Sequence, residues 1–258
     1  MGERTSIAWC HHTQNYWWGC THAGPGCDNC YAEALAKRWG RVVWGPGMPR
    51  VRTSQHNRNE VLRWNRKAEE AGERRRVFVN SMSDIFDHEV LQEWREEIWQ
   101  HIDLCEHLDF LLLTKRIGNA EKMLPAEWVE LGCPPNVWLG ATCVDTAELQ
   151  RDTEKLLAIP AAVHWISHEP GLGRLDITPD SLKNRPWAAV AISWVVTGGE
   201  SGAKARPYDL DGLADLVGQC RTAGVPVFVK QDSGQRPGMQ GRIPDDLWIK
   251  ELPDARIV

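Results

Sequence analysis

The chain has 258 residues, 42% of them hydrophobic and 25% charged, and carries a formal net charge of −5. That balance matches a soluble globular protein and gives no support for general, field-driven binding to nucleic acid. No apolar run reaches membrane-spanning length and the N-terminus lacks a signal-like apolar core, so a cytoplasmic protein with no membrane partner is expected.

Residues 1–14 are polar and read as irregular, with Cys10-His11-His12 facing the surface or a substrate. Tyr16-Trp17-Trp18 is a β-prone run and predicts the first strand. Gly19–Tyr31 then forms a cysteine loop, and Tyr31–Trp39 has the apolar spacing of a helix. Residues near 40–58 hold Gly, Pro and Arg without periodicity and predict an irregular insertion, before a helix over 60–70. Strand and helix signals alternate from there: strand 77–80, helix 89–106, strand 110–113, strand 137–142, helix 147–158, strand 163–167, strand 194–196, helix 210–223 and strand 225–229. Short apolar runs alternating with helices mark buried parallel strands. About seven such units predict an α/β fold, a complete or partial (β/α) TIM-like barrel. Residues 1–258 read as one domain, with a Gly-, Pro- and charge-rich C-terminal extension from about 232.

The residues just past each strand are polar: the loop cysteines, Asp84, Lys115 and Arg116, Thr142, Glu169, Glu200 and Lys230. Parallel strands bring their C-terminal ends to one face, where barrel active sites lie. Eight cysteines in such a chain argue against a disulfide framework and for metal or redox chemistry where they cluster. Cys105, Cys133, Cys143 and Cys220 are scattered beside apolar segments and read as small buried hydrophobes. Cys20, Cys27 and Cys30 are different, with six residues between the first two and two between the last two. Three thiolates on one metal centre would leave a coordination position open.

Several stretches together carry a resemblance. They are Gly-Cys-x6-Cys-x-x-Cys-Tyr-Ala from Gly19, Ser-Met-Ser-Asp-Ile-Phe from Ser81, Leu-Thr-Lys-Arg from Leu113, Ser-x-Glu-Pro from Ser167 and Gly-Gly-Glu-Ser-Gly from Gly198. Over roughly Ile7 to Gln231 the chain resembles the phage Gp37/Gp68 family, also described as a three-Cys-motif domain of unknown function. With its βα pattern, the motif also resembles the radical S-adenosylmethionine superfamily. That resemblance implies a barrel of the radical S-adenosylmethionine type. It implies a [4Fe–4S] cluster on Cys20, Cys27 and Cys30, and S-adenosylmethionine chelating the open iron. One-electron reduction would then cleave it to an adenosyl radical that modifies a substrate. An electron donor is an implied partner, and a partner protein a further candidate. The phage association suggests a nucleotide or nucleic acid as substrate. The chain departs from the superfamily pattern in three ways. The first cysteine gap has six residues instead of three, Asn29 replaces the aromatic residue before the last cysteine, and Gly-Gly-Glu comes late.

The candidate cofactor-binding set is Tyr31, Ser81, Ser83, Asp84, Lys115, Thr142, Glu169, Gly198, Gly199 and Glu200. Ser81–Asp84 would take the amino group, and Glu169 or Glu200 the ribose or substrate. Lys115 would face a carboxylate or phosphate, and so would backbone amides of the turn after Gly198. Trp17, Trp18, Arg116 and Lys230 are the substrate-binding candidates, and no catalytic residue is assigned. Two other readings stand beside this one. A structural zinc site could use the three cysteines with His22 or Cys10. A nucleic-acid-binding or partner-binding module could use Trp17, Trp18 and the basic segment Arg50, Arg52, Arg58, Arg63, Arg66, Lys67 and Arg74–Arg76. That segment otherwise reads as a solvated helix face and loop.

Overall fold

The structure is a computed structural model that describes residues 5–178 and 191–254. Its strands are β1 (His12–Gln14), β2 (Trp17–Trp18), β3 (Val51–Arg52), β4 (Arg75–Val79), β5 (Leu108–Thr114), β6 (Val137–Thr142), β7 (Val163–His168), β8 (Trp194–Gly198) and β9 (Val227–Gln231). Seven of them form one sheet in the order β1-β4-β5-β6-β7-β8-β9, while β2 and β3 pair separately as an antiparallel ribbon. An order that follows the chain without reversal is that of a (β/α) barrel, with seven of its eight strands among the described residues. The fold is mixed α/β and compatible with a partial TIM-like barrel.

Two compact units divide the chain. The first takes the residues up to Ala23, then Cys30–Leu139 and Ile159–Ala162. Within it β1, β4 and β5 pair in parallel, and α1 (Tyr31–Arg38), α2 (Glu60–Ala71) and α3 (Gln92–Leu104) lie between strands in the chain. The second takes Gly24–Asn29, Gly140–Ala158 and the chain from Val163. There β7, β8 and β9 pair in parallel, with α4 (Thr146–Leu157) and α5 (Leu210–Ala223). Strands such as β5 and β6 are buried almost throughout, which is why they read as continuous apolar runs rather than alternating ones.

Most predicted elements lie where periodicity places them; the 210–223 helix and the 137–142 strand match residue for residue. The N-terminus differs. Residues 12–14, expected to be irregular, form the first strand of the main sheet, whereas Trp17–Trp18 belongs to the ribbon. Two of the strand's three polar side chains have contacts in the core. His12 stacks on Trp64 with ring centroids 4.5 Å apart, and Gln14 Nε2 donates to the Asn57 and Arg58 carbonyls at 2.7 and 2.9 Å. His12 is therefore buried rather than surface-facing.

The insertion near 40–58 holds β3 and a short helix, Gln55–Arg58. Its basic residues are not simply a solvated face. Arg50 and Arg58 are buried; Arg50 pairs with Asp87 at 2.8 Å and Arg58 with Glu97 at 2.6 Å. Arg52 also reaches Glu97, and Arg74 reaches Asp109 at 2.6 Å. The extension after Gln231 returns along β9: Val229 N donates to Ile249 O at 2.9 Å and Glu251 N to Val227 O at 3.1 Å. This return covers an otherwise open sheet edge. Cys105, Cys143 and Cys220 are buried as expected, and Cys133 is partly buried.

Candidate functional site

The cysteine loop opens at Gly19, whose φ of +108° lies in the region that favours glycine. A Cβ there would also sit 2.5 Å from the Val43 carbonyl oxygen. Cys20 forms a bridge with Trp44, and Gly45 N donates to the Cys20 carbonyl at 2.9 Å. Pro25–Cys27 makes a 3-10 turn, and Cys30 is the N-cap residue of α1. His22 Nε2 lies 2.7 Å from Glu33 on that helix.

Around Cys20 the first unit builds a charged network. Asp84 follows β4, and its Oδ1 accepts from Phe86 N at 2.9 Å and Thr114 Oγ1 at 2.7 Å. Its Oδ2 accepts from Lys115 N at 3.0 Å and Arg116 Nη1 at 3.1 Å. A carboxylate offers about four acceptor positions, so Asp84 is saturated. It thus fixes the end of β5 and aims Arg116, and none of its capacity remains for an amino group. Arg116 Nη1 also lies 3.6 Å from Cys20 Sγ, while Nη2 donates to the Thr21 carbonyl. Burial works against the Arg116 charge, but the Asp84 carboxylate outweighs it and the guanidinium is held protonated. Burial pushes the Cys20 thiol up to about 12, Asp84 adding to the rise and Arg116 opposing it. Such a thiol is not a nucleophile at neutral pH without a metal.

A second guanidinium holds the other side of Thr21. Arg50 Nε donates to Asp87 Oδ2 at 2.8 Å, Nη1 to the Met48 carbonyl at 2.8 Å, and Nη2 to Thr21 Oγ1 at 2.7 Å. Thr21 in turn donates to Glu89 Oε1 at 3.1 Å, and Gly47 N donates to Glu89 Oε2 at 2.9 Å. The insertion is therefore locked to the start of the cysteine loop by buried charge.

The second unit holds the middle of the loop. Asn29 Nδ2 donates to Glu200 Oε2 at 2.9 Å, and Arg206 Nε donates to the same oxygen at 3.1 Å. Arg206 also reaches Asp28 and the Pro25 carbonyl, at 3.1 and 2.9 Å. Glu200 is buried, which raises its pKa, but the bonds from Arg206 and Asn29 outweigh burial and the net shift is downward. A depressed carboxylate stabilises the fold above its unfolded pKa and loses that contribution as pH falls through its folded value. Arg206→Met is expected to cost on the order of 1–2 kcal/mol at pH 7. In acid-titrated urea unfolding the gap from wild type should close as pH falls below the Glu200 pKa. A gap constant down to full protonation would contradict this role.

Lys230 and Glu169, assigned separately to substrate and cofactor, form an ion pair at 2.6 Å. Gly199 is required by close packing, and Gly198 is tightly packed, with a Cβ there 3.1 Å from the Gln231 carbonyl oxygen. A Cβ on Gly199 would meet Ser233 Oγ at 2.3 Å, and Gly199 N donates to the Gln231 carbonyl at 3.0 Å. Gly202 N likewise donates to the Gly234 carbonyl at 2.9 Å, so these two amides serve the backbone instead of an anion. Thr142 is buried at the end of β6.

In the first unit, Tyr31 OH donates to the Ser81 carbonyl at 2.8 Å, and Ser81 Oγ accepts from Asn15 Nδ2 at 3.0 Å. Ser83 Oγ donates to the Trp17 carbonyl at 3.2 Å. Trp17 is fully buried against Trp94, and Trp18 is buried beneath Trp39, so both are core rings instead of open stacking surfaces. Asp87 and Arg206 escape sequence reasoning, and Arg50 enters it only as part of the basic segment. Their partners are 37 residues away for Arg50 and, for Arg206, on both sides of the chain's middle. The absence of any Asp or Glu between Glu33 and Glu60 is the available signal that Arg50 needs a distant carboxylate.

Among the described residues, no group of three or more His, Cys, Asp and Glu side chains is already set as a metal site. The donor chemistry of the loop nevertheless suits a soft metal: thiols, of which Cys27 is buried and the partly buried Cys20 is met by a guanidinium N–H. The chain belongs to the family described as "Protein of unknown function (DUF5131)", whose match spans residues 4–247. No curated protein and no solved structure matches it.

Proposed function

We propose that the chain is an iron–sulfur enzyme of the radical S-adenosylmethionine type, acting on a nucleotide or nucleic acid. Cys20, Cys27 and Cys30 would ligate a [4Fe–4S] cluster. The observation that supports this best is the Cys20 environment, where a partly buried thiol receives an N–H from Arg116 3.6 Å away. Hydrogen bonds to ligating sulfurs are a main lever on such clusters. When bound, the reduced cluster would supply the electron that cleaves S-adenosylmethionine to an adenosyl radical.

The chain's own residues bind, orient and exclude water. Arg116 and Arg50 clamp Thr21 from two sides and so fix Cys20. Glu200 and Arg206 hold the turn that carries Cys27. Drawing the three thiols together would accompany metal binding, as in sites completed by their metal. Lys230 and Glu169 are offered as polar groups for substrate, exchanging their mutual pair for it.

Anaerobic reconstitution with iron and sulfide tests the cofactor. Expected are a brown protein and about four iron per chain. Colourless protein holding one zinc would replace this reading with the second one, a zinc-stabilised binding protein. That alternative is favoured by the His22–Glu33 contact at 2.7 Å, since ligating histidines commonly pair with a carboxylate.

A further inference from the structure

We infer that the end of α1 and the turn after it form a contact surface for single-stranded nucleic acid, built on Trp39, Arg38 and Arg41. This surface uses none of the cysteine ligands, though Cys30 packs against the same apolar cluster, and the inference stands whether the bound metal is iron or zinc.

Trp39 is 57% exposed although it is a large aromatic residue beside a packed core. Its ring stacks on the buried Trp18, with centroids 5.1 Å apart and planes 27° from parallel. One face is thus braced from within while much of the ring meets solvent. The Arg41 guanidinium lies 4.8 Å from the Trp18 centroid, so a cation is held beside the pair. Gly40, at φ +68°, turns the chain sharply, and Arg41 N returns to the Ala36 carbonyl at 2.9 Å. Beneath lies a cluster of Trp18, Ala32, Ala36, Val43 and Met82. The platform is therefore backed by packed side chains.

Charge selects the occupant. Residues 34–59 contain six Lys and Arg and no Asp or Glu. Arg50, Arg52 and Arg58 are neutralised by Asp87 and Glu97, whereas Arg38 and Arg41 remain exposed beside Trp39. A cavity of about 150 Å³ adjoins them, lined by Lys37, Arg41, Val43 and Trp44. Its acid, Glu33, is already engaged by Lys37 at 2.6 Å and His22 at 2.7 Å. An aromatic face flanked by cations in a chain of net charge −5 fits a polyanion with planar groups to stack. Paired bases would hide those planes, so the single-stranded form is the one selected.

The test is fluorescence anisotropy with a labelled oligothymidylate, run at about 50 and 200 mM salt. Wild type should bind more weakly at the higher salt. Trp39→Ala should weaken binding roughly 5- to 100-fold, while Trp39→Phe keeps most of it. Arg38→Glu with Arg41→Glu should weaken binding and flatten the salt dependence. Far-UV circular dichroism checks folding, and should Trp39→Ala unfold, the charge pair decides. No binding, equal binding by these variants, a preference for anionic vesicles, or Trp39-dependent self-association would each overturn the inference.

Discussion

Asp84→Ala is expected to destabilise the protein by about 3–5 kcal/mol, because it leaves a buried guanidinium without its counter-charge. Side-chain exposures of 9% for Arg116 and 8% for Asp84 place both charges away from water. The same change orphans Thr114 Oγ1 and the amides of Phe86 and Lys115. Each lost partner adds a desolvation cost. Urea unfolding should show a lower midpoint with an unchanged slope. Asp84→Leu combined with Arg116→Met should be less destabilised than the sum of the singles, since the pair is removed together. Strict additivity would show that the two charges do not depend on each other. A wild-type midpoint for Asp84→Ala, with altered binding of S-adenosylmethionine, would instead return Asp84 to the cofactor.

Cys20→Ala, Cys27→Ala and Cys30→Ala are each expected to lower reconstituted iron to near background while the fold persists. A cluster with only two remaining thiolates is poorly held, because each ligand is needed to complete its iron's coordination. Stability should move little by comparison. Cys30 packs only at the edge of the apolar cluster formed by Trp18, Ala32, Ala36, Val43 and Met82. Removing a small sulfur group there costs far less than emptying a core. Iron and acid-labile sulfide analysis measures the effect, with Cys133→Ala as the control. If all three variants hold wild-type iron, the loop does not ligate the cluster.

The strands and long helices were legible because their apolar runs are long and their connections short. The parallel α/β reading thus follows from β4 to β9 alone. What stayed hidden is polar and long-range. His12, Thr13 and Gln14 look like loop residues, yet they lie in the sheet, where His12 stacks on Trp64 and Gln14 Nε2 donates to the carbonyls at 57 and 58. Trp17 and Trp18 looked available for stacking, but the open ring is Trp39, at the end of a helix where periodicity says little about exposure. Asp84 was visible as a strand-end carboxylate. Its saturation was not, because two of its four donors are backbone amides and one is an arginine 32 residues away. Gly198-Gly199-Glu200 shows the same limit. The motif suggests an anion-binding turn, but the amide of Gly199 serves Gln231 and the carboxylate of Glu200 serves Arg206.

The most direct measurement is product analysis of the anaerobically reconstituted protein given dithionite and S-adenosylmethionine. Formation of 5′-deoxyadenosine and methionine, abolished by Cys20→Ala, is the predicted result. A protein with its full complement of iron and sulfide that leaves S-adenosylmethionine intact, with and without single-stranded nucleic acid present, would contradict it.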